Sequence, residues 1–210
     1  MFKLRTSRQL LTKRRQQGVS LVIVMIFLVI LSGLGITAMQ NSTLSSKVAR
    51  NQLDRTLAFQ AAEAALRDAE LDLNNTRFDG VTRCTAGAVG CRVTLIGNGG
   101  QSFGNDTTAD PTANRCNLGL CSTDDPVVGA PPFWEERARW TNANDSVVYG
   151  LNTGAANLPV VAKQPRYMIE YFKQGENFLY RITSVGYGSI VNINNEATTQ
   201  IMLQTAYKAI

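Results

Sequence analysis

No histidine occurs in the 210 residues, which removes the Ser-His-Asp and Cys-His nucleophilic routes and most catalytic zinc sites. No P-loop or dinucleotide-binding glycine fingerprint is present either. Asp106, Asp110, Asp124 and Asp125 offer oxygen ligands in loop-like sequence, but their spacing departs from the D-x-[DN]-x-[DN]-G calcium loop, so solvated acids are expected there. Residues 16 to 46 contain no charged side chain, and residues 19 to 74 contain no proline. The first absences argue against an enzyme and against any bound cofactor or metal. The uncharged stretch points to lipid, and the proline-free one to an unbroken helix.

What fills the uncharged stretch is strongly apolar. Val19 to Met39 is a run whose only polar side chains are Ser20, Ser32 and Thr37. As a helix it spans about 31 Å, the thickness of a bilayer core. Lys3, Arg5, Arg8, Lys13, Arg14 and Arg15 precede it with no acid among them. The positive-inside bias therefore holds this end in the cytoplasm and exports the remainder. The run is longer than the apolar core of an ordinary secretory signal and no A-x-A cleavage site follows it, which disfavours a signal of that kind.

The charge balance belongs to the leader. Net charge is +5, but six of the 21 cationic side chains lie in the first 15 residues, leaving 15 against 16 acids in the rest. The high isoelectric point is thus poor evidence for nucleic-acid binding, and none is expected.

From Asn41 to Leu73 there is neither proline nor glycine, and Ala58, Ala61, Ala62, Ala64, Ala65, Leu66, Arg67 and Ala69 are strong helix formers. Leu53, Leu57, Ala61, Ala64 or Ala65, and Asp68 or Ala69 recur at three- and four-residue steps, an apolar but small-sided face suited to lying on a sheet. Arg50, Asp54, Glu63, Arg67 and Glu70 are expected on the solvent side, with Arg50/Asp54 and Glu63/Arg67 at i,i+4. Asn74, Asn75 and Gly80 supply stop signals. A single helix over 19 to 74 would be about 84 Å long. Gly33 and Gly35 weaken it by about 1 kcal/mol each and permit bending or close packing, or are ordinary membrane-helix glycines.

Gln16-Gln17-Gly18-Val19-Ser20-Leu21 behind a short basic leader resembles the type III signal of type IV prepilins. The alternative is a chance glycine beside a membrane anchor. The resemblance implies that a prepilin peptidase cuts after Gly18 on the cytoplasmic side and methylates Val19. A second resemblance is more specific: Leu53 to Glu70, LDRTLAFQAAEAALRDAE, behind an apolar prepilin helix is similar to the amino-terminal region of the PilX family of minor type IV pilins. LYRITSVGYGS, Leu179 to Ser189, and QIMLQTAY, Gln200 to Tyr207, resemble the closing strands of those proteins. Residues 80 to 160 share little with them.

The carboxyl-terminal part reads as an antiparallel meander. Tyr167, Ile169 and Tyr171 alternate with Met168, Glu170 and Phe172, a turn follows at Lys173 to Asn177 with Gly175, and strands are expected at Phe178 to Val185 and Ala197 to Tyr207. Gly97 to Pro132 reads as loop. Phe133 to Trp140, behind Pro131-Pro132, reads as a short helix that buries Trp134 and Trp140 in a small core, with an exposed recognition patch as the alternative. The class is α+β, with the type IV pilin fold implied by the resemblance: a long helix on a carboxyl-terminal antiparallel sheet. The expected segments are a leader at 1–18, a membrane or filament-core helix at 19–40, an amphipathic helix at 41–75 and an exported head at 76–210.

Four cysteines in an exported domain favour disulfides, with three connectivities possible. Local closure is easiest, so Cys84 with Cys91 and Cys116 with Cys121 is the expectation. A four-thiolate zinc site is the alternative, disfavoured by the spacings. Many major pilins instead staple a loop near the carboxyl terminus, and no cysteine follows residue 121 here, which puts a major-subunit role in doubt.

In most pilins the fifth mature residue is glutamate, held to neutralise the amino terminus of a neighbouring subunit; the matching position here is Ile23. Such a subunit can receive charge compensation but cannot offer it, which fits the start of a filament and hence its tip. The alternative is simple tolerance in a low-abundance subunit. The partners implied are the prepilin peptidase, other minor pilins, the major pilin and a tip adhesin. A type II secretion tip pseudopilin and a membrane-anchored periplasmic enzyme or receptor remain the competing functions.

Overall fold

The computed structural model describes residues 19–96, 103, 116–122, 132–174 and 177–208. Gly18, Asp106, Asp110, Asp124, Asp125, Pro131 and Gly175 lie outside the described residues. The chain divides into two compact units, Met1–Ala49 and Arg50–Ile210. One long helix, α1 (Val19–Leu73), begins in the first and ends in the second.

In the second unit α1 is followed by six strands: β1 (Cys116–Asn117), β2 (Leu120–Ser122), β3 (Val147–Val148), β4 (Arg166–Gln174), β5 (Asn177–Tyr187) and β6 (Gln200–Lys208). Their order is β1-β2-β4-β5-β6, with β3 also pairing to β4. The last three strands form the antiparallel meander read from the sequence. The sheet as a whole is mixed, because β2, upstream of that meander, runs parallel to β4. The short β1–β2 hairpin is easily missed in polar sequence. Its two turn residues, Leu118 and Gly119, both take positive φ (48° and 80°), as the tightest hairpin turn requires.

The helix ends where the sequence suggests. Asn74 donates its backbone N–H and its Nδ2 to the Glu70 carbonyl, and Asn75 turns left-handed at φ 50°. The buried stripe, however, is rotated from the expected one. Ala58, Ala61, Ala62, Ala65 and Ala69 face the sheet, Leu53 is exposed, and Asp54, expected in solvent, is buried. The reason lies in β5. A Cβ on Gly186 would collide with the Ala58 carbonyl oxygen and the Ala62 nitrogen, so helix and strand meet backbone to backbone and only alanine fits between them. Ser184 completes this contact by donating to the Ala62 carbonyl at 2.8 Å.

Both faces of the sheet are covered. Toward α1, Tyr167, Ile169, Tyr171, Tyr180 and Ile182 pack with Ala65, Ala69 and Leu73. On the other face Met168 and Val185 pack with Phe133, Trp140 and the Cys116–Cys121 disulfide. Phe133–Glu135 and Arg137–Trp140 form two 3-10 turns in place of the expected short helix. Trp140 is buried and donates its indole N–H to the Trp134 carbonyl, while Trp134 is half-buried. Glu170 is fully buried in mid-sheet, and Arg181 grips both of its oxygens at 2.6 and 2.7 Å.

Candidate assembly interface

The first unit presents an apolar surface. Along α1 the large side chains from Val19 to Met39 are exposed, and an 18-residue window there has a mean hydropathy of 2.9 with none of it buried. Ser32 and Thr37, which would otherwise show hydroxyls to lipid, donate them to carbonyls three and four residues back. A Cβ added at Gly33 or Gly35 would meet nothing within 4 Å, so among the described residues no contact requires either glycine. Val19 is 60% exposed and Ile23 50%. A helix this long and apolar suits a bilayer or the interior of a helical assembly.

In the second unit α1 carries three buried carboxylates that tie it to loops far away in sequence. Asp54 Oδ1 accepts from the Ser189 N–H at 2.6 Å, the Ser189 hydroxyl and the Ile190 N–H. Gly188 makes room for this carboxylate, since a Cβ there would strike both of its oxygens. Asp68 accepts from the Gly150 N–H at 2.8 Å and from the Thr153 hydroxyl. Asp72 receives a bidentate Arg92 guanidinium at 2.7 and 2.6 Å, the Tyr167 hydroxyl at 2.7 Å and Asn152 Nδ2. Burial pushes the Asp68 carboxyl up to about 6, with Thr153 and Gly150 opposing and the charge of Asp72 adding to the rise. Burial, together with Asp72, also holds the Tyr167 phenol well above its ordinary value.

These acids are structural ties that position the head on its helix. Sequence reasoning placed Asp68 on the packing face and missed Asp54 and Asp72. The signal was their spacing: 54, 58, 61, 65, 68 and 72 advance by alternating fours and threes along one face. The second disulfide-closed loop, Cys84–Cys91, sits beside this network, with Arg92 directly after it. Both Cys84–Cys91 and Cys116–Cys121 are closed, and no described cysteine is free. Among the described residues no group of three or more cysteine or acidic side chains is placed to hold a metal ion.

An apolar amino-terminal helix that continues into a head and lies there on a sheet defines the class: an α+β protein of the type IV pilin fold. Residues 17–67 match the family model described as PilX N-terminal. Over that stretch, about a quarter of the chain, the protein is similar to the amino-terminal region of PilX-family type IV pilins, a family of structural subunits. No curated protein and no solved structure matches the chain.

Proposed function

We propose that this chain is a minor pilin that helps initiate type IV pilus assembly and takes its place in the complex at the pilus tip, in support of adhesion, twitching and DNA uptake. It acts by assembly and not by catalysis. The observation that carries the reading is Ile23, an apolar side chain on an exposed apolar helix where pilins ordinarily place an acid. Taking an unpaired charge out of water is costly, so each subunit added to a filament needs a carboxylate near its amino terminus. A chain with Ile23 accepts that compensation from a neighbour and offers none, and such a chain belongs at the first position.

In this reading residues 1–18 are a leader removed by prepilin peptidase after Gly18, and Val19 becomes the methylated amino terminus. Residues 19–40 hold the chain in the inner membrane, with the basic end in the cytoplasm and the head in the periplasm, and later enter the filament core. Residues 41–75 carry the head, 76–210, to the surface of the pilus. The partners are other minor pilins, the major pilin and a tip adhesin.

Amino-terminal sequencing of the mature protein tests the processing: methylated Val19 is the expected result, and an intact Met1 or a cut beyond residue 39 defeats the reading. Ile23→Glu tests the tip assignment. The variant is expected to spread along filaments instead of staying at one end, and piliation indifferent to the change would remove the role given to Ile23.

A further inference from the structure

On the sheet face turned away from α1, positive charge collects around one tyrosine. Arg166 in β4 pairs with Val185 in β5, so the two-residue repeat puts Tyr187 diagonally beside Arg166 on the same face. Arg166 is buried, and its guanidinium donates to the Ser146 hydroxyl at 2.8 Å and to the carbonyls of Ser146 and Asn142 at 2.6 and 3.2 Å, all neutral acceptors. The Ala162 N–H donates to the Gly188 carbonyl at 2.8 Å, which sets Lys163 next to the end of β5, its Nζ 5.4 Å from the centre of the Tyr187 ring. Arg137, from the 3-10 turn that Trp140 packs onto this face, is the third cation. Burial pushes the Tyr187 phenol up, and the charges of Arg166 and Arg137 pull against that rise. Among the described residues no carboxylate forms an ion pair with any of the three cations.

Beside them lies a cavity of about 430 Å³ whose walls include Arg137, Lys163, Tyr187, Asn195, Glu196 and Gln200. Tyr187 is 7% exposed, and among the described residues nothing hydrogen-bonds its hydroxyl, which leaves a donor for whatever enters. Glu196 is exposed and accepts from Asn192 Nδ2 at 3.2 Å, so it is drawn to its own loop and does not pair with the cations. Three cations less this one acid leave two positive charges at and just behind the cavity wall. Because the sheet fixes Arg166 and Tyr187, part of this arrangement is in place before any ligand arrives.

We propose that this cavity binds a phosphate group, either free or carried on a small ester. A phosphate monoester brings a charge of about −1.5 to −2 at neutral pH and three acceptor oxygens, which matches the two unanswered positive charges. A carboxylate brings one charge and two oxygens and leaves the rest uncompensated. Arg137 and Lys163 meet the phosphate oxygens, the guanidinium offering its planar fork and the ammonium a point charge. The Tyr187 hydroxyl donates to the same group, and Arg166 acts through Tyr187 as a positioning residue. Asn195 and Gln200 face the remaining volume, where their amides suit the hydroxyls of an attached organic group. The cavity is within the usual size of small-molecule sites.

Titration calorimetry on the full chain tests this, in maltoside micelles and a phosphate-free buffer with about 0.15 M chloride, where attraction between exposed charges is screened beyond about 8 Å. Inorganic phosphate and glucose 6-phosphate are the ligands, with acetate and glucose as controls. At least one of the two phosphates should bind at a single site with Kd of about 1 mM or tighter, and neither control should. Equal affinity for the two phosphates assigns the site to the free anion, and tighter binding of the sugar phosphate assigns it to an ester. Weaker binding of both, or acetate binding as tightly, overturns the proposal. Arg137→Gln and Lys163→Gln should each weaken binding about tenfold or more. Tyr187→Phe keeps the ring and should weaken it about fivefold at an unchanged melting temperature. Arg67→Gln, which removes an exposed cation of α1, should change nothing. Binding indifferent to Tyr187→Phe, or weakened as much by Arg67→Gln as by Arg137→Gln, also overturns it. None of these readouts depends on leader cleavage or entry into a filament, so the phosphate site and the pilin reading stand or fall separately.

Discussion

Asp68 offers the sharpest energetic test of how the head is held on its helix. Its carboxylate is buried and receives two hydrogen bonds, but among the described residues no cation forms an ion pair with it, and Asp72 lies close by. Burial raises the folded-state carboxyl from 3.8 to about 6. An acid whose folded value lies above its unfolded value favours the fold while protonated, and that contribution is lost as pH rises from about 3.8 through about 6. The two-unit gap corresponds to about 3 kcal/mol between pH 3 and pH 7.5. Asp68→Asn removes the titration and keeps the shape, at the cost of about 1 kcal/mol or more for turning an N–H toward one of the two donors. The measurement is denaturant unfolding of the full chain in micelles, followed by the fluorescence of Trp134 and Trp140, at a series of pH values. The other carboxylates contribute their own slopes, which cancel in the difference between variant and parent. At low pH the variant should be the less stable of the two. The difference should shrink or reverse by about 3 kcal/mol as pH passes 6. A difference that stays constant from pH 3.5 to 7.5 would refute the burial argument.

The remaining ties yield predictions of their own. Gly186→Ala forces a methyl into the backbone of α1 at Ala58 and Ala62 and should destabilise the head by about 3 kcal/mol or more, read from the denaturation midpoint. Arg92→Ala leaves Asp72 buried without its cation and should cost about 3 to 5 kcal/mol, much of it recovered when Asp72→Asn is added; independent, additive losses would show that the two do not act as a pair. Replacing Cys116 and Cys121 together with serine opens the β1–β2 hairpin and should lower stability by about 2 to 3 kcal/mol, with no change in the oxidation of Cys84 and Cys91 by peptide mapping.

Where the sequence was informative, the physics was local. An uncharged run of membrane length, an alanine-rich helix and period-two aromatic strands each declare themselves within a dozen residues. So does cysteine pairing when the partners are five and seven residues apart. Asp54 shows where local reasoning fails. A charged residue at i,i+4 from Arg50 reads as solvent-facing, yet three donors from residues 189 and 190 draw it inside. β1 and β2 were hidden for a similar reason: two- and three-residue strands in polar sequence have no periodicity to detect, and they exist because β4 offers them a partner.

The apolar helix from Val19, the absence of an acid at position 23 and the order of helix before sheet were thus settled by sequence alone, since they depend on composition and short-range spacing. Which face of α1 meets the sheet and which acids are buried were decided only by tertiary structure. Those outcomes depend on contacts between residues more than a hundred positions apart, such as Ser184 with Ala62 and Ser189 with Asp54. No window of sequence contains both partners.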